Sequence, residues 1–231
     1  MGTKKYRLTG NHINIGSRIL YQIEALKDFG DVKAGDLGGY IESEENLSQY
    51  DNAWVYGDAQ VLGNAQVFDN ARVYGNACVF DNARVYGNAC VFGNAQVFDN
   101  ARVYGNTCVF DNARVYGNAC VFDNAEVYDN AQVLGNAQVL GNARVFGDAQ
   151  IKSARDYIVF KNWWSSGRYF TWTRSNNMWK VGCFYGTGEE LIKKAYNDSK
   201  ESGREYERIV RYVESILADE KRKENEPIGI K

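Results

Sequence analysis

The sequence predicts a mainly β protein: a parallel β-solenoid of about six triangular coils, an N-terminal β cap and a small C-terminal α+β domain. Three observations predict it. From Asp51 to Lys152 a six-residue unit is written seventeen times without a gap. Inside each unit, Ala at the third position and Val at the fifth alternate with variable and bulky residues, the period of two that belongs to strands. Each unit opens on a Gly/Asp–Asn pair, which is a turn signal because such residues tolerate the left-handed region a sharp corner needs. A short strand plus a corner, repeated, makes a coil of three flat sides with eighteen residues per turn. Fixed short periods of this kind mark repeat architectures.

Two successive units, Gly75-Asn76-Ala77-Cys78-Val79-Phe80 and Asp81-Asn82-Ala83-Arg84-Val85-Tyr86, show the pattern. Val79 is the aliphatic residue and Ala83, four positions on, the small one. In this the segment resembles the hexapeptide-repeat family, whose members fold as left-handed parallel β-helices. Departures are few: Thr107 stands where Ala is expected, and Ile151 where Val is. With strands ~4.8 Å apart, the prism is expected to be roughly 25–30 Å long.

Val and Ala are expected to point inward and stack on themselves from coil to coil, while the fourth and sixth positions point out. The sixth is almost entirely aromatic or Leu. Read every eighteenth residue, it gives three columns: one beginning at Tyr56, one at Leu62 and one at Phe68. Stacked rings stabilise such a ladder. A contiguous apolar column is also large enough to serve as a contact surface. The fourth position supplies Arg72, Arg84, Arg102, Arg114 and Arg144, expected over neighbouring rings.

Three regions follow. Residues 1–50 are an N-terminal cap and lead-in, with strands at Tyr6–Thr9 and Arg18–Leu26 and punctuation at Gly10-Asn11 and Gly16. Glu45–Tyr50 is already a degenerate hexad. An atypical terminal unit protects the open core and strand edges of a solenoid. Residues 51–152 are the solenoid. Residues 153–231 read as three strands, Tyr157–Phe160, Arg168–Thr173 and Met178–Phe184, with a turn at Ser175-Asn176-Asn177. A helix is expected from the capping box Thr187-Gly188-Glu189-Glu190, with Leu191, Ile192, Ala195 and Tyr196 on one face. A second follows Ser202-Gly203, and Asp219–Lys231 is a frayed charged tail. The lead-in Gly35–Glu42 and the segment Trp179–Leu191 resemble a family of phage and prophage hexapeptide-repeat proteins with a C-terminal domain. That resemblance implies a phage-associated role and no particular activity.

The chain has 231 residues and a net charge of −2, so nothing global points to nucleic acid or a membrane surface. Neither a secretory signal nor an apolar run of spanning length is evident. Cys78, Cys90, Cys108 and Cys120 occupy the outward fourth position, and Cys183 lies near the end of an expected strand. Cys90 and Cys108 are eighteen apart and fall on adjacent coils. The odd count favours free thiols in a reducing cytoplasm.

Hexapeptide-repeat acyltransferases carry a general-base His on a loop that leaves the solenoid. Here the single His is His12, ahead of the repeats, and no loop interrupts them. Carbonic anhydrases of the same family need three His ligands for zinc. No catalytic residue, metal or cofactor is therefore expected. Cys183 reads as a core thiol, and Gly186-Thr187-Gly188 is a weak candidate phosphate cradle. The most site-like constellation is Trp163, Trp164, Arg168, Tyr169, Trp172, Arg174, Trp179, Lys180 and Tyr185, because Trp and Arg together characterise binding hot spots. The competing account makes these rings the core of a small sheet domain. The resulting expectation is a non-enzymatic cytoplasmic binding protein of phage origin. Its solenoid presents this module to a protein target, such as a host defence component, and assembles as a homodimer or trimer. Alternatives are an acyltransferase-like or nucleotide-binding enzyme using the C-terminal domain, nucleic acid being the less favoured partner, and a structural virion component.

Overall fold

A computed structural model describes residues 4–225. They divide into two compact units: residues 4–159 with Thr173–Asn176, and Phe160–Trp172 with residues 177–225.

The first unit is built on seventeen two-residue strands, β4 (Trp54–Val55) to β20 (Gln150–Ile151), one per hexad. Each pairs in parallel with the strand one coil away, as Val61 pairs with Val79. The repeat thus winds into three sheets. Every repeat Ala and Val, with Thr107 and Ile151, is buried, so the core is a narrow column of small and β-branched side chains. Thr107 satisfies its extra hydroxyl by donating to the Tyr104 carbonyl at 2.7 Å.

At the corners it is the first residue of the Gly/Asp–Asn pair that enters the left-handed region, including Asp69 at φ 60° and Asp123 at φ 64°. A left-handed Asp is costly. Its carboxylate offsets this by accepting the backbone N–H one coil on: Asp69 from Gly87 at 3.1 Å and Asp99 from Gly117 at 2.9 Å. The Asn that follows builds a ladder, each amide donating to the next, as in Asn64 to Asn82 (3.0 Å), Asn82 to Asn100 (3.2 Å) and Asn100 to Asn118 (3.1 Å). Along the sides the sixth-position rings stack nearly parallel, Phe80 on Phe98 at 4.8 Å and Phe98 on Tyr116 at 4.9 Å. The arginines expected over them engage carboxylates at two places, Arg72 with Asp31 and Arg144 with Glu126.

The lead-in joins the same architecture. Strands β1 (Tyr6–Ile15) and β2 (Arg18–Ala25) form an antiparallel hairpin, and β3 (Leu37–Ile41) pairs antiparallel with β2 and parallel with β5 (Gln60–Val61). Leu47 bridges Val67, so the degenerate hexad is also part of a coil. The expected break at Gly10-Asn11 lies inside β1, as a register irregularity between Leu8 and His12; His12 is a strand residue opposite Tyr21. At the other end, the Tyr157 hydroxyl donates to the Gln138 carbonyl at 3.1 Å, and Ser175 accepts from the Gln150 N–H at 2.7 Å.

A four-stranded sheet runs in the order β21 (Tyr157–Lys161), β22 (Tyr169–Thr173), β23 (Met178–Val181), β24 (Phe184–Gly186). The expected strand Met178–Phe184 is two strands. Gly182 takes φ 56°, which breaks the extended run and turns it back, with Val181 opposite Phe184. Helix α1 (Gly188–Asp198) starts at the Thr187 capping box, where the Glu190 carboxylate accepts from the Thr187 N–H at 2.8 Å. Leu191, Ile192 and Ala195 are buried, whereas Tyr196 is 42% exposed. Helix α2 spans Lys200–Asn225, so the stretch from Asp219 to Asn225 is helical where a frayed tail was expected; residues 226–231 lie outside the described ones.

Candidate functional site

The second unit separates the nine residues of the sequence constellation. Trp172 and Trp179 are 1% and 2% exposed, and Trp179 packs against Phe160 and Phe170. These two rings are core: β22 is buried from Phe170 to Thr173, and Trp179 is the buried residue of β23. Trp164 packs edge-on against Tyr206 of α2 at 4.9 Å and is half-buried. Lys180 and Tyr185 are half-buried partners across β23 and β24. Arg174 belongs to the first unit, where its Nε donates to the Arg155 carbonyl at 3.0 Å.

Three of the nine are exposed in or next to the segment that joins β21 to β22: Trp163 (73%) and Arg168 in the loop, and Tyr169 (41%) at the start of β22. Asn162 shapes this loop. Its backbone accepts from the Gly167 N–H and donates to the Arg168 carbonyl, both at 2.8 Å. Its buried side chain accepts from the Ser165 N–H and hydroxyl at 2.9 and 3.0 Å, and donates to the Tyr206 hydroxyl at 3.0 Å. Lys161 lies over the Tyr169 ring at 5.7 Å. Arg168, Tyr169, Asn162 and Tyr206 line a cavity of 220 Å³, together with Cys183. Cys183 is exposed in the turn after Gly182 and is not a core thiol. Burial pushes the Tyr206 phenol above its ordinary value. Sequence reasoning missed Lys161, Asn162 and Tyr206; the clue was Asn162 directly before Trp163-Trp164, a residue suited to ordering a loop.

In the first unit a cleft of 310 Å³ is lined by Asp31, Tyr56, Arg72, Tyr74 and Cys90. The Tyr56 hydroxyl donates to Asp31 at 3.0 Å, and burial, with that carboxylate, pushes its pKa up to about 12. A wider trough of 720 Å³ follows one corner, past Glu42, Asp81 and Asp99. His12 is exposed on β1, 3.3 Å from the Gly10 carbonyl through Nδ1. Among the described residues, no group of three or more His, Cys, Asp or Glu side chains is arranged to hold a metal ion, and no helix is long and apolar enough to cross a membrane.

The model of the YdcK β-solenoid repeat matches residues 65–80 and 95–110, which lie wholly within the coils. The middle of this chain is a hexapeptide-type β-solenoid. An Escherichia coli K12 protein, the uncharacterized acetyltransferase YdcK, is 43% identical over 51 residues. That stretch is 22% of this chain and spans only 15% of the YdcK protein.

Proposed function

We propose that this chain is a binding protein that engages a protein target through the loop surface of Trp163, Arg168 and Tyr169. The observation that carries the reading is the 73% exposure of Trp163 on a loop held by Asn162, with Arg168 and Tyr169 exposed at the loop's other end. A large ring kept in water by an ordered loop is the usual form of an interface anchor. Preorganisation of that loop lowers the entropy lost on docking. The solenoid supplies a rigid body, and its half-exposed ring columns are the surface for a homodimer or trimer. The resemblance of Gly35–Glu42 and Trp179–Leu191 to phage and prophage proteins supports a phage-encoded protein acting in the host cytoplasm. Host defence components are its natural targets, and inhibition is by occupancy. Affinity capture from host lysate tests this, wild type against a Trp163→Ala/Arg168→Ala/Tyr169→Ala variant. A protein retained by the first and lost by the second is the expected result; identical retained sets overturn the reading.

A second reading, acyl transfer, is favoured by the likeness to the protein named as an uncharacterized acetyltransferase. His12 is then the only imidazole base in the sequence. Release of free coenzyme A from acetyl-CoA, abolished by His12→Ala, would support it. A rate equal to the uncatalysed background would remove it.

A further inference from the structure

We propose that Cys90 and Cys108 form a reactive dithiol, a modification site at which a low-molecular-weight disulfide converts the two thiols into an intramolecular disulfide between adjacent coils. The two residues are in-register partners on β10 (Cys90–Val91) and β13 (Cys108–Val109), which pair in parallel. Neighbouring strands lie about 4.8 Å apart. That separation falls within the Cα–Cα range of roughly 4.4–6.8 Å that disulfides adopt. Both side chains point out of the solenoid from the fourth hexad position and are half-buried.

The surroundings of the two thiols differ, and the difference assigns their roles. Cys90 lines the 310 Å³ cleft with Tyr74 and Arg72, so a small disulfide can reach it. Arg72 is its partner on the preceding coil, although that guanidinium also pairs with Asp31 at 3.1 Å. Cys108 faces Glu126 on the following coil, and Glu126 is in turn paired with Arg144. A thiolate is therefore favoured on the Arg72 side and disfavoured on the Glu126 side. In agreement, the hydrogen bond from the Cys108 thiol, opposed by burial and helped by Arg72, lowers the Cys90 pKa. The same hydrogen bond, burial and Glu126 push Cys108 up. Cys90 is the attacking sulfur and Cys108 the resolving one.

Cys90 loses its proton to solvent, and its thiolate attacks one sulfur of R–S–S–R. A mixed disulfide forms, and RS⁻ leaves and is protonated. Cys108 then loses its proton and attacks the Cys90 sulfur, closing the Cys90–Cys108 bond and releasing the second thiol. Two protein thiols are oxidised, and one external disulfide is reduced to two thiols.

The repeat supplies its own controls. Cys78 occupies the same hexad position between Gln60 and Gln96; its thiol donates to the Gln60 side-chain Oε1 at 3.7 Å, and burial raises its pKa. Cys120 lies between Arg102 and Gln138. Neither has a Cys partner in its column.

The test incubates the folded full chain with oxidised glutathione, then alkylates the remaining thiols and maps them by mass spectrometry. The expected result is loss of the Cys90 and Cys108 thiols with a linked Cys90–Cys108 peptide and no retained glutathione at either, while Cys78 and Cys120 form no protein disulfide and any label on the exposed Cys183 is counted separately. Cys108→Ser, checked for a wild-type circular dichroism spectrum, should accumulate glutathione on Cys90. Uniform glutathione labelling of Cys78, Cys90, Cys108 and Cys120, or a wild-type chain with all thiols intact, overturns the proposal.

Discussion

The Lys5 ammonium donates to the Ala53 carbonyl at 2.8 Å although its side chain is only 1% exposed. It also reaches the Asp51 carbonyl at 3.1 Å and lies over the Phe29 ring at 5.0 Å. Burial, partly offset by Asp51, lowers its pKa from 10.5 to about 8. The folded chain therefore releases this proton before the unfolded chain does. Between about pH 8 and 10.5 the unfolded state binds more protons, so raising the pH favours the fold. Urea titrations of wild type and Lys5→Met at pH 7 and pH 10 should show wild type gaining up to about 3 kcal/mol relative to the variant. A pH-independent difference would contradict the buried charge.

A side chain added at Gly39 would place its Cβ 2.6 Å from the Ala59 carbonyl oxygen and 2.7 Å from Val55 Cγ1. Strand β3 can join the solenoid only where its backbone approaches that closely. Gly39→Val should cost about 3 kcal/mol, the upper end of the usual cost of overpacking a core. Gly10→Ala, whose Cβ would meet nothing within 4 Å, should stay within about 0.5 kcal/mol. Thermal unfolding followed by circular dichroism reads both. Equal midpoints for the two variants would show that β3 is not a tightly seated rung.

Asn100 stands mid-ladder, accepting from Asn82 and donating to Asn118. Replacing it with Ala removes two side-chain hydrogen bonds at an exposed corner, a loss of roughly 1 kcal/mol. Gln138→Ala, at an exposed side position, should change stability by less than about 0.5 kcal/mol. Chemical denaturation distinguishes them, and an Asn100→Ala midpoint equal to wild type would leave the ladder without energetic weight.

The solenoid was legible because period-two alternation fixes which face each side chain occupies, and Val79 or Ala83 needs no distant information to be placed inside. The role of Gly38-Gly39 was not legible. It depends on pairing β3 with β5, a contact that no local pattern encodes. In the second unit the density of Trp was visible, but its division was not. Trp163 and Trp179 look alike as letters, and only the loop held by Asn162 and the inward turn of β23 send one to water and the other to the core. Cys183 was misplaced because Gly182 was counted into a strand that its positive φ ends.

The most direct test of the binding surface is isothermal titration of the captured partner against wild type, Trp163→Ala and Tyr212→Ala, the last altering a 57% exposed ring on α2 outside the loop. The account predicts that Trp163→Ala weakens Kd at least about 30-fold, as loss of a hot-spot residue does, while Tyr212→Ala leaves it unchanged. A Kd for Trp163→Ala equal to wild type would contradict it.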